Sequence, residues 1–273
     1  TKIVAVNEDG KVVASVTKSY DLNSPKPGWA EQNPLDWKKA VFEGLSEICQ
    51  KINGKEVRSI GLTGQMHGSV FLDADGEVLY PAILWCDQRT AKQCEKINEI
   101  VGEKKLIQMV SNPALTGFTA PKILWLRDEE PEVYKKVKRV LLPKDYIRYE
   151  LTGEFATDVA DASGTLLFDV KNRCWHRELL NLLEIPIDWL PEAYEGPEIT
   201  GKIKPSIAEQ LYLSSDTVVV AGGGDQAAGG VGCGVVHSGI VSASLGTSGV
   251  VFAFSEHVHT DPKGRVHTFC HSV

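Results

Sequence analysis

The pattern of apolar and polar positions predicts strands and helices that alternate along the chain. Two valine-rich runs, at 2–6 and 11–16, flank the turn signal Asn-Glu-Asp-Gly at 7–10 and predict a β-hairpin. A helix is predicted to begin at Asn33 and Pro34, because asparagine is a favoured cap and proline suits the first helical position. Apolar residues then recur at helical spacing, at Trp37, Val41, Leu45, Ile48 and Ile52.

The rest of the chain continues this mixture of elements. An apolar run at 59–63 predicts a buried strand that leads into the loop 64–68. Residues 90–138 are predicted to be mostly helical, with interruptions at 112–113 and 119–121. The other predicted elements are a hairpin turn at 73–76, a strand at 140–142, a helix from 144 to 151 that ends at Gly153, a strand at 216–220, a hairpin of 240–244 with 250–254, and a strand at 266–270. Strands mixed with helices over the whole length indicate an α/β domain.

The composition is typical of a globular protein and disfavours two classes of function. The 273 residues are 42% hydrophobic and 24% charged, which suits a soluble domain with a substantial core. A net charge of -7 disfavours nucleic-acid binding, because phosphate contacts need clustered lysine and arginine. No apolar run reaches the length of a membrane span, and residues 1–6 lack the pattern of a signal peptide. We therefore expect a cytoplasmic protein without membrane partners.

The cysteines and histidines do not indicate a disulfide framework or a metal site. Six cysteines are scattered without a Cys-x-x-Cys pair, so we expect free buried thiols; they are Cys49, Cys86, Cys94, Cys174, Cys233 and Cys270. Near the end, Cys270 lies among four histidines whose spacing fits no standard zinc finger. We therefore predict no metal ligand in the chain.

The strongest candidate for catalysis follows the predicted strand at 216–220. That strand runs into three glycines at 222–224 and then into Asp225 and Gln226. A glycine turn leaves the amides of the next helix exposed, and these amides favour an anion or a polarised oxygen. Asp225 could then accept a proton from a substrate hydroxyl. The alternative is that Asp225 only caps the helix.

The same turn imitates a dinucleotide-binding fingerprint. Gly222, Gly224 and Ala227 have the required spacing after a strand, but that motif also needs an acid about 20 residues later. Residues 244–249 read Ser-Leu-Gly-Thr-Ser-Gly, so the dinucleotide interpretation is disfavoured. This stretch could itself offer amides and hydroxyls to phosphate oxygens, although tight hairpins use the same residue types.

The loop 64–68 carries side chains that suit a sugar. It closes a predicted buried strand, where ligand sites of α/β proteins usually lie. Gln65 and His67 could hydrogen-bond sugar hydroxyls, and Met66 could pack on a carbon face. A lone loop histidine is also often satisfied by its own neighbours.

A second polyol-like stretch comes shortly after. Trp85 and Asp87 offer an aromatic face and a carboxylate, which both suit polyols. Asp87 and Arg89 could equally form a surface ion pair, which contributes little to stability.

Taken in order, these segments resemble the FGGY family of carbohydrate kinases over essentially the whole chain, and within it the kinases of xylulose. The matching segments are an early loop at 28–34, the sugar loop at 64–68, the first family signature at 117–129, an interior segment at 157–158 with 162–169, the segment of the catalytic aspartate at 222–226, and a phosphate loop at 245–249. The loop 64–68 is the segment that favours xylulose over glycerol.

The resemblance implies an actin-like α/β fold of the ribonuclease-H type, with a mixed β-sheet flanked by helices. It implies that residues 1–238 form the sugar-binding domain and that residues 239–273 begin a nucleotide-binding domain that is otherwise mostly absent. It also implies that the first strand of the family, with its phosphate loop, lies before residue 1. We therefore expect the chain alone to phosphorylate a sugar poorly or not at all.

The resemblance further implies ATP-dependent phosphorylation of D-xylulose, with ATP and Mg²⁺ bound between the domains. Asp225 would be the general base on the terminal hydroxyl. The implied sugar-binding residues are Met66, His67, Gln226, Gln65, Trp85 and Asp87, and the implied nucleotide-binding residues are Gly224, Gly246, Thr247 and Ser248.

Two alternatives remain open. One is a kinase for gluconate, ribulose or glycerol, and the other is an actin-like binding module without turnover. Gln226 stands where related enzymes often have asparagine, which leaves the detail of the substrate open. The oligomeric state is also open, with a homodimer as one alternative.

Overall fold

Helices and strands alternate along the part of the chain that the computed structural model describes, residues 1–245 and 249–273. The α-helices are α1 Pro34–Lys51, α2 Ala91–Val101, α3 Glu103–Val110, α4 Thr119–Glu129, α5 Pro131–Tyr134, α6 Pro143–Thr152, α7 Val159–Ser163, α8 Arg177–Leu182, α9 Pro205–Gln210 and α10 Asp225–Gly232. Short 3₁₀ helices lie at Gly54–Glu56 and Ile187–Trp189.

The strands are mostly short, and they pair both parallel and antiparallel. They are β1 Lys2–Val6, β2 Val12–Thr17, β3 Glu31–Gln32, β4 Ser59–Ile60, β5 Thr63–Gly64, β6 Val70–Leu72, β7 Ala82–Ile83, β8 Arg139–Leu141, β9 Ala156–Asp158, β10 Phe168–Asp169, β11 Cys174–Trp175, β12 Glu192–Tyr194, β13 Ile199–Lys202, β14 Val218–Val220, β15 Gly223–Gly224, β16 Val241–Leu245 and β17 Gly249–Ala253. Mixed pairing with interspersed helices confirms the predicted α/β class.

Strands β6 and β8 separate two apolar cores. They pair antiparallel, and their side chains alternate between the two faces. Phe71 and Val140 belong to one core, which is formed with α2, α3 and α4. Val70, Leu72 and Leu141 belong to the other, which is formed with α1 and α6. All five side chains are buried, so this pair of strands lies between two layers of helices.

Two parallel strand pairs bring distant parts of the sequence together. β4 pairs with β14, and β5 pairs with β15 so that Thr63 lies opposite Gly223 and Gly64 opposite Gly224. Both segments leave strand conformation at matching positions, residues 61–62 between β4 and β5 and residues 221–222 between β14 and β15. The single strand predicted at 59–63 is therefore two short strands that share one partner segment.

Local signals predict several element ends correctly. The Asn33 side chain caps α1 by accepting from the Leu35 amide, and Gly153 ends α6 with a φ of 85°. The hairpins β1–β2 and β16–β17 form as predicted, and the segment 73–76 turns at Gly76. The predicted interruption at 119–121 is wrong, because α4 begins at Thr119 and proline is tolerated in a first turn.

The strand predicted at 266–270 is also wrong. No regular strand forms there; instead the segment packs back on the body of the chain. Asn112 holds it through both the amide and the carbonyl of Thr268, at 3.1 and 2.8 Å. Farther along, the Cys270 amide donates to the Ser163 hydroxyl at 3.0 Å. Side-chain clamps thus replace the strand pairing that the alternating pattern suggested.

All six cysteines are unpaired thiols, but the prediction that they are buried is right for only half of them. Cys49, Cys94 and Cys270 are buried, whereas the remaining three are exposed: Cys86, Cys174 and Cys233. Within the described residues, no helix combines the length and apolar character needed to span a membrane.

Candidate functional site

The sugar loop, residues 64–68, lies directly beside Asp225. β5 leads into this loop, its partner β15 leads into α10, and Asp225 is the first residue of α10. The Asp225 carboxylate accepts a hydrogen bond from the Gln226 amide at 3.0 Å, and the Met66 side chain packs against Gly224, the residue before Asp225. Surrounding protein partly desolvates this exposed carboxylate and raises the pKa of Asp225, while the hydrogen bond from the Gln226 amide opposes the shift. The structure thus brings these two candidate segments side by side.

Met66 fills the space between two glycines of the site. Its side chain is 4% exposed. A β-carbon on Gly224 would lie 2.7 Å from Met66 Cγ, and one on Gly164 would lie 2.8 Å from Met66 Cε. Contacts that close do not occur in folded proteins, so both positions require glycine for the loop and the turn to meet.

His67 is held in one orientation by its backbone and by its ring. Its φ is 67°, a conformation that non-glycine residues rarely adopt. Its Nδ1 lies 2.5 Å from the carbonyl oxygen of Gly164, and its ring packs edge-on against Phe118. Burial lowers the pKa of His67 to about 3, so the ring is neutral at neutral pH. Since a carbonyl only accepts, Nδ1 carries the proton and Nε2 is a hydrogen-bond acceptor.

A buried lysine anchors the sugar loop from below. The Lys122 side chain is fully buried, and its Nζ donates to the carbonyls of His67 and Gly117, at 2.8 and 2.7 Å. The Thr119 hydroxyl donates to the same His67 oxygen at 3.0 Å. Burial lowers the pKa of Lys122 to about 7, which Asp87 opposes from a distance.

A second buried lysine lies under Gly64. Lys144 Nζ contacts the carboxylates of Asp145, Asp158 and Asp161 at 2.5, 2.6 and 3.3 Å, and all four side chains are at most 1% exposed. Burial alone would lower the pKa of Lys144, but the three carboxylates outweigh it and raise the pKa. Burial raises the pKa of Asp161 well above its ordinary value, against the attraction of Lys144. Burial therefore disfavours the charged form of Asp161 more than Lys144 favours it.

Arg148 links this cluster to the glycine turn that precedes Asp225. It is fully buried and donates to the carbonyls of Val220 and Ala221, at 2.6 and 2.5 Å. These are the residues directly before the glycines that lead to Asp225. Arg148 also contacts Asp145 at 3.3 Å. We name the five residues Lys144, Asp145, Arg148, Asp158 and Asp161 the buried ionic cluster.

Of the other predicted site residues, some lie beside Asp225 and Met66, and others contact different parts of the chain. Gln226 is exposed beside Asp225, and Trp85 is 52% exposed with its carbonyl close to Gly117. Gln65 is turned towards Gln32, to which it donates at 3.0 Å. Gly224 is buried against Met66. Three predicted nucleotide-binding residues, Gly246, Thr247 and Ser248, lie outside the described residues.

Asp87 forms a buried ion pair rather than the surface pair considered from the sequence. Its side chain is 0% exposed, and its carboxylate accepts from the Ala30 amide at 2.6 Å and from Arg89 at 2.7 Å. Arg89 reaches Glu31 as well, and its guanidinium lies 3.5 Å from the centre of the Trp29 ring. This arrangement gives Asp87 a structural role in holding its loop.

Sequence reasoning missed Lys122, Lys144 and Arg148. One signal for Lys122 was present, since it is the single charged residue within the otherwise uncharged stretch 114–126. Lys144 and Arg148 carried no such signal, because charged residues in a short helix are ordinarily exposed. Only the parallel pairing of β5 with β15 brings them under the site.

Comparison with known proteins gives consistent matches. Residues 1–232 match the N-terminal domain of the FGGY family of carbohydrate kinases. The chain is 43% identical to the xylulose kinase of Escherichia coli K12, over 100% of this chain and 56% of that protein. A xylulose kinase structure from Brucella ovis superposes with a TM-score of 0.94 at 35% identity, covering 100% of this chain and 56% of that one.

A structure named as a different sugar kinase is also similar. The gluconate kinase of Lactobacillus acidophilus superposes with a TM-score of 0.87 at 30% identity, covering 92% of this chain and 51% of that one. The chain spans about half the length of the curated relatives it matches.

Proposed function

Because this chain belongs to the FGGY family of carbohydrate kinases, we propose that it forms the sugar-binding part of an ATP-dependent kinase that converts D-xylulose to D-xylulose 5-phosphate. The observation that carries the proposal is the parallel pairing of β5 with β15 and the packing of Met66 against Gly224, which put the sugar loop beside the exposed carboxylate of Asp225. A base beside a sugar-binding loop is what phosphorylation of a hydroxyl requires.

Asp225 acts as the general base on the terminal hydroxyl of the ketose. The Gln226 amide orients its carboxylate, and partial desolvation raises its pKa and so its affinity for the hydroxyl proton. Phosphoryl transfer proceeds through a loose transition state, so alignment of the hydroxyl contributes more than its full deprotonation. The chain's part is therefore to orient the sugar and to accept one proton.

The sugar contacts come from one side of the site. Met66 packs against a carbon face, and Nε2 of His67 accepts a hydrogen bond from a sugar hydroxyl because Nδ1 is used by Gly164. Gln226 contacts the sugar beside Asp225, and Trp85 lies at the rim. Gln65 and Asp87 act indirectly, through their bonds to Gln32 and Arg89.

ATP is the proposed phosphoryl donor, with the predicted contacts of Gly246, Thr247 and Ser248. Mg²⁺ would neutralise charge on the phosphates when it is bound. No group of three or more His, Cys, Asp or Glu side chains suited to a metal occurs among residues 1–245 and 249–273. The described residues thus do not fit an ion site of their own, and we assign no step to the ion.

We propose that residues 1–238 are the sugar-binding domain and that residues 239–273 begin the nucleotide-binding domain. Since the chain spans about half the length of its relatives, we expect the 273-residue chain alone to phosphorylate xylulose poorly. Robust turnover by the isolated chain would contradict this expectation. That the protein forms a homodimer is a hypothesis, which sedimentation analysis of the full-length protein can test.

A gluconate kinase is the second candidate, because such an enzyme is among the similar structures. Formation of ADP by the full-length protein, measured with xylulose, ribulose, gluconate and glycerol, separates the candidates. We expect turnover to be fastest with xylulose. A preference for gluconate would support the second candidate, and a lack of sugar-dependent ADP formation would overturn both.

Substitution of the base tests the mechanism. Asp225→Asn should lower kcat for xylulose by about 10²–10⁴-fold, because the hydroxyl proton loses its acceptor. Its folding should be unaffected, since the side chain is exposed. Asp9→Asn, at an exposed turn of the first hairpin, is the matched control and should be fully active. Turnover of Asp225→Asn near the control value would remove Asp225 from the mechanism.

A further inference from the structure

The position of Lys122 does not follow from packing alone. It lies on α4, whose neighbouring residues 123–126 are apolar and buried, and it is itself fully buried. Among the residues described, no carboxylate lies within ion-pair distance of its Nζ. A buried amine without a counter-charge is costly, and an apolar side chain of similar length would avoid that cost.

The two acceptors of Lys122 belong to two different loops. One is the carbonyl of His67 in the sugar loop, and the other is the carbonyl of Gly117 in the segment that leads into α4. His67 has a left-handed backbone, which persists only where surrounding contacts impose it. A neutral amine has two N–H groups, so Lys122 can serve both carbonyls whether or not it is protonated.

Other contacts of the first turn of α4 reach the same region. The Thr119 hydroxyl donates to the His67 carbonyl, and the Ala120 amide donates to the Thr165 carbonyl at 3.0 Å. Thr165 follows Gly164, the acceptor of the His67 ring. The turn therefore holds the backbone of His67 and also the segment that orients its ring.

We propose that Lys122 is a positioning residue of the sugar site, which fixes the backbone of His67 so that the ring meets the sugar in one orientation. The inference rests on the proposed function, since it assigns Lys122 to binding of the sugar. Lys122 itself does not contact the sugar; it acts through the His67 carbonyl.

Steady-state kinetics of the full-length kinase test the proposal. Lys122→Met should raise the KM for xylulose about tenfold, the usual effect of losing a buried hydrogen bond, while the KM for ATP stays unchanged. Thr119→Val removes the second donor to the same oxygen and should raise the KM for xylulose by a smaller factor. Lys105→Met, at a lysine that is 51% exposed, is the control and should match wild type.

The outcomes are distinct. A wild-type protein without xylulose-dependent turnover would overturn the proposed function, whatever the variants do. With an active wild type, equal changes in both KM values, or an unchanged KM for xylulose, would overturn the role of Lys122. If Lys122→Met does not fold, Thr119→Val carries the test alone, and an unchanged KM for xylulose in that variant would overturn the role.

Discussion

Two buried lysines, Lys144 and Lys122, contact the sugar loop, and they differ in the kind of partner that surrounds the amine. Lys144 contacts three carboxylates, which raise its pKa above the ordinary value. Lys122 contacts two backbone carbonyls, and burial lowers its pKa to about 7. Lys144 packs against Gly64 at the start of the loop, while Lys122 binds the carbonyl of His67 within it.

The difference separates two uses of a buried cation. In the buried ionic cluster, Lys144 contacts Asp145, Asp158 and Asp161, and Arg148 also contacts Asp145, so each cation has a carboxylate partner. Such a compensated cluster specifies how strands and helices meet. Lys122 has no carboxylate partner among the described residues, and its amine donates hydrogen bonds to two backbone carbonyls next to the site. The lysine that is paired with carboxylates, Lys144, thus belongs to the framework under the site, whereas the lysine without a carboxylate partner, Lys122, holds the backbone of the sugar loop.

Loss of the compensated cation should have the largest effect. Lys144→Met leaves Asp145 with Arg148 alone and removes the cation that contacts Asp158, so we expect the free energy of unfolding to fall by about 3–5 kcal/mol. Urea unfolding of the full-length protein measures it. Lys105→Met, which breaks an exposed pair with Glu178, should change stability by less than about 1 kcal/mol. A loss at Lys144 as small as at Lys105 would mean that the cluster does not stabilise the fold.

The pH dependence of stability should reveal the lowered pKa of Lys122. Between pH 7 and the ordinary lysine pKa of 10.5, the unfolded chain binds a proton at Lys122 that the folded chain does not. The wild type should therefore gain stability relative to Lys122→Met as pH rises, by about 2 kcal/mol from pH 7 to pH 9. Unfolding free energies of both proteins at the two pH values check this.

The control for that comparison is again Lys105→Met, whose difference from wild type should not depend on pH. A Lys122→Met difference that is equally constant would show that Lys122 keeps an ordinary pKa. The contrast between the two buried lysines would then disappear.

The smallest effect is expected at Asp161. Burial disfavours the charged form of Asp161, and Asp161→Asn replaces this carboxyl by a neutral amide of the same shape, so we expect stability at neutral pH to change by less than about 1 kcal/mol. Asp158→Asn is the matched comparison and should cost more, because Asp158 contacts Lys144 at 2.6 Å and caps α7. Equal losses in the two variants would indicate that Asp161 is charged in the folded state.

Structural features that depend on residues close together in the sequence were predicted correctly, and features that depend on distant residues were not. The cap at Asn33, the stop at Gly153 and the two hairpins were predicted because each depends on residues within one turn. The strand expected at 266–270 failed, because side chains such as Asn112, more than a hundred positions earlier, decide its conformation.

The site divides in the same way. Asp225 and the sugar loop were singled out from their residue types and from the family resemblance, and the structure brings them together. What the sequence did not reveal is the support beneath them. Lys122, Lys144 and Arg148 act on backbone carbonyls or on residues that are distant in sequence, and neither composition nor periodicity encodes such partners.

The tight placement of Met66 has a chemical consequence. Its sulfur would lie 3.1 Å from a β-carbon on Gly224, so there is no room at that side for even one added atom. Conversion of the thioether to a sulfoxide adds an oxygen and makes the side chain polar. Because Met66 is buried, we expect the folded chain to shield this sulfur from oxidants, whereas oxidation before folding should hinder the close packing of the sugar loop against Gly224.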